Sequence, residues 1–208
     1  MLTSSLFSSP AGVSKKSRTY LVRHGETDWN RLGRLTGRSD RPLTERGREQ
    51  ASELGRRLQN LHFESVVSSP SIRAADTARL ILEGQGHPIP ASRQDDRLLE
   101  TDFGPFEGWS EDELNADPAG AHWRTTREVP DGMETDEAMT ERVQSIWADL
   151  SALEGNTLVV AHGGILRALL CACVLGLPVS EVRRLKILNC RLAIIEPGEL
   201  PLLLGLNL

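Results

Sequence analysis

Three short runs constrain the fold more than anything else in the chain: Thr19-Tyr20-Leu21-Val22, Ser65-Val66-Val67 and Thr157-Leu158-Val159-Val160-Ala161. Each is apolar at consecutive positions and rich in β-branched residues. That pattern belongs to strands buried on both faces, hence to a central parallel sheet covered by helices on either side. The covering helices are legible too. Ala51, Leu54, Leu58 and Leu61 recur at helical spacing, as do Val143, Ile146, Trp147, Leu150 and Leu153. Strand and helix alternate, which predicts an α/β fold.

Local signals refine this outline. Ser69-Pro70 reads as an N-cap followed by proline in the first helical position, with Arg73 in the opening turn, and Thr44-Glu45 opens the helix that holds Leu54. Residues 95–130 carry Gly104, Pro105, Gly108, Pro118 and Gly120 with weak periodicity, which predicts a mostly irregular insertion over the sheet edge. Leu192 to Ile195 and Leu202 to Leu204 flank Glu196-Pro197-Gly198-Glu199, as in a hairpin with a loop longer than two residues. The expected organisation is a flexible extension over residues 1–18, then a single domain over 19–208.

Composition narrows the partners. A net charge of −5 spread over 208 residues provides no positive field for nucleic acid or an anionic membrane, so a small molecule is the expected partner. The apolar stretch from Ile165 to Leu177 is interrupted by Arg167 and Gly176 and is too short to span a bilayer. Cys171, Cys173 and Cys190 match neither a disulfide framework nor a zinc site and read as reduced core residues. The expectation is a cytoplasmic protein. Residues 1–18, serine-rich with Lys15, Lys16 and Arg18, leave organelle targeting as the alternative. A homodimer is left open.

In an open α/β sheet, ligands bind beyond the carboxyl ends of the strands. Arg23-His24-Gly25 follows the first strand, Ser68-Ser69-Pro70 leading to Arg73 the second, and His162-Gly163-Gly164 the third. Two arginines, two histidines and glycine-flanked backbone suit a phosphoryl group. Arginine offers a planar fork of donors, glycine lets amides approach, and an imidazole can be nucleophile or proton shuttle. His24 and His162 lack the short spacing of two metal ligands on one element. Taken singly, each histidine reads as a hydrogen-bonded strand-end residue and each arginine as an ion-pair partner.

Five blocks, in order, lift that reading: Leu-Val-Arg-His-Gly-Glu-Thr-Asp-Trp-Asn at 21–30, Asp-Arg-Pro-Leu-Thr-Glu-Arg-Gly at 40–47, Ser-Ser-Pro-Ser-Ile-Arg-Ala at 68–74, Glu-Thr-Asp-Phe-Gly-Pro-Phe-Glu-Gly at 100–108 and Val-Ala-His-Gly-Gly at 160–164. Together they resemble the histidine phosphatase superfamily, also called phosphoglycerate mutase-like. The resemblance implies a three-layer αβα sandwich around a mostly parallel sheet. It also implies a metal-independent phosphatase without cofactor, acting on a small phosphorylated metabolite. By the same resemblance His24 forms a phosphohistidine, while Arg23, Arg73 and His162 hold the phosphoryl oxygens with help from Asn30 and the Gly163 amide. Glu100 is the implied proton donor, with Asp102, Glu107 and Glu111 as nearby rivals.

The Glu-x-Asp-Phe-Gly-x-x-Glu-Gly form and the few residues between 74 and 99 resemble the phosphatase branch, since the mutases carry a longer insertion there. A phosphoglycerate mutase-type transferase and a non-catalytic phospho-ligand binding module are the competing readings. Thr36-Gly37, where many members have glutamine before the glycine, bears on substrate choice. Arg34, Arg38 and Arg124 are candidates for reading a second anionic group, with surface arginines as the plainer account.

Overall fold

The computed structural model describes residues 17–88, 90, 92–126 and 128–208. The expected extension therefore lies, but for its last two residues, outside the described residues. Arg18, the last residue of that expected extension, already opens the first strand.

Six strands form one sheet: β1 (Arg18–Arg23), β2 (Ser65–Ser68), β3 (Ser92–Gln94), β4 (Asn156–Ala161), β5 (Leu192–Glu196) and β6 (Leu202–Leu206), in the order β3-β2-β4-β1-β5-β6. The first four in that order run parallel, and the expected hairpin β5–β6 adds antiparallel to β1. The helices are α1 (Asp28–Arg31), α2 (Glu45–Arg57), α3 (Ile72–Gln85), α4 (Glu111–Ala116), α5 (Pro118–Thr126), α6 (Asp136–Ser151) and α7 (Gly163–Leu169).

Alternate residues of each strand serve opposite layers, which is why the strand runs are apolar throughout. Tyr20, Val22, Val66, Leu158 and Val160 pack on Ala51, Leu54, Ala78 and Ile81 of α2 and α3. Leu21, Val67, Val159 and Ala161 pack on Val143, Ile146, Ile165 and Leu166 of α6 and α7. Each fully buried aliphatic side chain contributes roughly 1.5–3 kcal/mol, so both helical layers are held by the strands themselves. Among the described residues no helix is long and apolar enough to cross a membrane.

Three local expectations change. The first helical residue of α3 is Ile72, with Ser71 in the cap position; Ser69 and Pro70 lie before it. Ser69 is held by the sheet, its N–H donating to Val160 O, and the Ile72 N–H donates instead to the Asp40 carboxylate at 2.9 and 3.2 Å. Second, the 95–130 insertion is more regular than expected, containing α4, α5 and two 3₁₀ turns, Asp96–Leu98 and Gly104–Phe106. Pro118, expected to mark irregular chain, is the first residue of α5, where its missing N–H costs nothing. The insertion has a small core of its own, with Phe106, Leu114 and Met133 at its centre and Trp109 and Trp123 packed around them. Third, β3 is an exposed, polar edge strand, and nothing in Ser-Arg-Gln announces it.

Candidate active site

The sheet register delivers the three strand ends to one place. Arg23 pairs with Ala161 and Ser68 with Val160, so His24, Ser69 and His162 leave the sheet together. The His24 N–H continues the ladder, donating to Ala161 O at 2.9 Å, and the His24 and His162 rings meet edge to face, 5.2 Å between centroids.

His24 is buried, and its Nδ1 lies 2.7 Å from Gly25 O. A carbonyl only accepts, so Nδ1 carries the proton and Nε2 keeps its lone pair. Burial first, then the charges of Arg23 and Arg73, push its pKa well below the usual imidazole range, against the opposing pull of the Gly25 carbonyl. Gly25 itself is needed for space. A Cβ there would sit 2.4 Å from Gly47 O, at the start of α2, while its N–H donates to Thr77 Oγ1 at 2.9 Å.

Arg23 is tethered through Nη1 to Ile187 O at 3.0 Å, but its Nε is buried without a partner. Among the described residues it is the one buried side-chain nitrogen or oxygen so left, and an orphaned donor of this kind calls for an explanation. Gly163 lies against it. A Cβ at 163 would stand 3.4 Å from that Nε and cover it.

Arg73 has no exposed surface and divides its fork three ways: Nε to His162 Nδ1 at 3.1 Å, Nη1 to Ser39 O at 2.8 Å and Nη2 to Gly37 O at 2.8 Å. Two of its five N–H groups remain for a ligand. His162 is Arg73's partner at Nε. Its Nδ1 accepts from Arg73, so Nε2 carries the proton and donates to Ser69 Oγ at 2.8 Å. Burial, then Arg73 and His24, also push its pKa well below the usual range. The ring is therefore neutral, with Nδ1 seating Arg73 and Nε2 engaged by Ser69.

Glu100 is buried at the start of α7. Its Oε2 accepts from the Gly164 N–H at 2.8 Å, and its Oε1 from Ile165 at 3.0 Å and Thr101 at 2.9 Å. A carboxylate belongs at a helix N-terminus, where free N–H groups and the dipole meet it. It lies close enough to be the leading charge that helps Arg23 and Arg73 keep their protons against burial. The rival carboxylates are committed elsewhere. Glu107 accepts from the Gly37 and Ser39 N–H groups at 2.9 and 3.1 Å, Asp102 from Gly104 at 2.9 Å, and Glu111 pairs with Arg124.

Asn30 caps α1 reciprocally with Thr27 and also accepts from Asn189 Nδ2 at 3.2 Å. With Oδ1 taken by two donors, its Nδ2 is the atom left to donate. Thr36 Oγ1 turns back to Arg34 O at 3.3 Å, whereas Gly37 braces Arg73 and Glu107 and has no room for a Cβ, which would stand 2.4 Å from Thr101 O. Arg34 is spent on Gly108 O and Glu113.

Four residues that hold this arrangement were missed as site residues: Ser69 on His162, Thr77 on Gly25, Glu107 on the 37–39 loop, and Asn189, whose Nδ2 donates to His24 O at 2.8 Å. Thr77 had a readable signal, one helical turn after Arg73. Asn189 had none.

A cavity of about 240 Å3 is lined by Thr101 and Gly164, which flank Glu100 in the chain and by hydrogen bond, and by Leu35, Phe103, Trp123 and Met133 among others. Neither His24 nor Glu100 itself lines it.

A sequence model of the histidine phosphatase superfamily, branch 1, matches residues 19–200. The chain belongs to this superfamily. A relative named "Probable phosphoglycerate mutase GpmB", from Enterobacter sp. (strain 638), is 37% identical over 192 residues, covering 88% of this chain and 86% of that protein. Among solved structures, the α-ribazole phosphatase of Shigella flexneri superposes with a TM-score of 0.81 at 30% identity, covering 92% of this chain and 96% of its own. The mycobacterial glucosyl-3-phosphoglycerate phosphatase Rv2419c reaches 0.80 at 31% identity, with 93% and 99% covered. The superfamily's sandwich fold is the one described above.

The neutral, buried histidines carry a pH prediction. In the unfolded chain an imidazole takes a proton near pH 6.5, while in the folded protein His24 and His162 take theirs only well below that. The unfolded state therefore binds more protons as pH falls. The stability they confer is complete above the unfolded pKa and is lost on acidification, by up to about 1.4 kcal/mol per pH unit for each histidine. Urea midpoints are expected to fall between pH 7 and pH 5.5; a flat or rising midpoint would contradict the two neutral rings.

Proposed function

We propose that the chain is a phosphatase that hydrolyses a small phosphomonoester through a phosphohistidine on His24. The observation that carries this reading is the state of His24: neutral, fixed in the tautomer that bares Nε2, and flanked by two arginines, one with a buried donor waiting for a partner. In the proposed reaction Nε2 attacks phosphorus in line as the ester P–O bond breaks. A proton brought in by the substrate's phosphate monoanion passes through Glu100 to the departing alkoxide. Water then attacks the phosphohistidine, Glu100 takes the water proton, the P–N bond breaks and phosphate leaves. Arg23, the free donors of Arg73, Asn30 Nδ2 and the Gly163 amide hold the phosphoryl oxygens, and the charge that grows on them is met without reorganisation.

In this reading the cavity lined by Thr101 and Gly164 receives the leaving alcohol: Leu35, Phe103, Trp123 and Met133 suit an apolar or flat body, while Arg124, Arg167 and Arg183 on the same lining suit a polar or anionic group on it. Free thiols at Cys171, Cys173 and Cys190 and the net charge of −5 support a cytoplasmic protein acting on a metabolite.

The mutase reading has support from the names of curated relatives. Against it stands the short connection from α3 to Glu100, which contains little beyond β3 and one 3₁₀ turn. An assay over sugar phosphates, phosphoglycerates, nucleotides and phosphopeptides separates the two. Free phosphate from at least one substrate is expected, with label trapped on His24 after a denaturing alkaline quench. Transfer of phosphate between the carbons of phosphoglycerate without free phosphate would instead establish a mutase.

A further inference from the structure

Glu100 sits on a loop, and an acid must meet the leaving oxygen within a few tenths of an ångström to be effective. The α7 amides hold the Glu100 carboxylate itself, and one ion pair grips the backbone on either side of it. Arg142, on α6, meets Glu134 fork to fork, with Nε at 2.7 Å from Oε1 and Nη2 at 2.6 Å from Oε2. The remaining terminal nitrogen, Nη1, donates to Arg97 O at 2.9 Å and to Leu99 O at 2.6 Å, the carbonyl immediately before Glu100. Glu134 holds the other flank: its N–H donates to Asp102 O at 3.0 Å, and its Oε2 accepts from the Asp102 N–H at 3.4 Å. The backbone is thus gripped on both sides of Glu100 by the same two side chains, which are only 13% and 10% exposed.

A buried ion pair is a poor device for stability, because apolar residues of similar volume usually do as well. Apolar residues cannot hold two carbonyls and an amide. We propose that Arg142 and Glu134 are positioning residues that set the Glu100 carboxyl against the leaving oxygen, an inference that rests on the acid role proposed for Glu100. Glu134 also bears on the cavity, since it and its neighbour Met133 line it together with Thr101. The pair therefore joins the wall that a leaving group touches to the residue that protonates it.

The test compares p-nitrophenyl phosphate, whose phenolate departs without a proton, with glycerol phosphate, whose alkoxide needs one. Wild type, Glu100→Gln, Arg142→Met, Arg142→Lys and Glu134→Gln are assayed on both, with thermal melts alongside. Arg142→Met and Glu134→Gln are expected to lower kcat/KM, which reports the phosphorylation step and not the shared hydrolysis of phosphohistidine, by roughly 10- to 100-fold on glycerol phosphate and to spare it on p-nitrophenyl phosphate, reproducing the pattern of Glu100→Gln. Arg142→Lys should recover part of the loss. Equal losses on both esters, or a lowered melting temperature with kcat/KM unchanged, would overturn the positioning role. Should Arg142→Met not fold, Glu134→Gln and Arg142→Lys decide alone. If Glu100→Gln itself fails to discriminate between the esters, the acid role falls, and the positioning role with it.

Discussion

Replacing His24 by alanine is expected to lower kcat by at least about 10⁴-fold while leaving phosphate affinity nearly intact. A loss of that size corresponds to about 5.5 kcal/mol of transition-state stabilisation, which only the missing nucleophile accounts for. The separation of rate from binding follows from the geometry. Arg23, Arg73 and Asn30 are each anchored by partners other than the His24 side chain, so the anion site survives its removal. Stability should change modestly. The ring is neutral, so no charge is orphaned, and the loss is one hydrogen bond to Gly25 O plus some packing, about 1–3 kcal/mol. Turnover measured beside calorimetric titration with inorganic phosphate checks both halves. A rate within tenfold of wild type would remove His24 from the reaction, and lost phosphate binding would mean that the ring helps to build the anion site.

What the sequence reveals of this site, and what it hides, follows from how far each interaction reaches along the chain. Strand runs such as Thr157 to Ala161 are legible because burial on both faces leaves its mark on every residue of the strand. The strand ends are legible because chemistry concentrates there in any sheet of this kind, and the register brings Arg23 level with Ala161 as that rule requires. The supporting residues are a different matter. Asn189 reaches His24 O across 165 positions of sequence, and an asparagine in a loop looks the same whether or not it holds a catalytic backbone. The partners of His162 are equally hidden: its position after the third strand is legible, but that Arg73 and Ser69 occupy its two ring nitrogens is visible only in the structure. The insertion hid its helices for a simpler reason. Helices as short as α4 and α5 complete too few turns for an apolar period to emerge, and a buried glycine, Gly120, pressed against Leu114 O, stands where a periodic apolar residue would have signalled α5.

Arg73 joins structure and chemistry most tightly, and its substitution should damage both. Its fork ties α3 to the loop at Gly37 and Ser39 and to His162, and Asp40 from the same loop caps the helix at Ile72. Arg73→Met fills the volume but strands two carbonyls and an imidazole nitrogen in a site with no exposed surface. Removing one member of a buried, hydrogen-bonded charge network costs about 3–5 kcal/mol. In a domain of this size that lowers Tm by roughly 6–20 °C. Arg73→Lys keeps the charge, but a single ammonium cannot span three acceptors lying in different directions, so it should recover little of the stability. On the chemical side, the proposed function has the two free N–H groups meet the charge that grows in the transition state, and on that proposal kcat/KM should fall by roughly 10²- to 10³-fold in both variants. The two readouts are independent. A lysine variant that melts like wild type would show the ties to Gly37 and Ser39 to be idle, whereas one that turns over like wild type would show that a point charge suffices. Under the proposed function Arg73 would do both jobs for one reason: its three protein bonds fix the plane of the guanidinium, and a fixed plane would direct the remaining two donors at a phosphoryl group without further ordering.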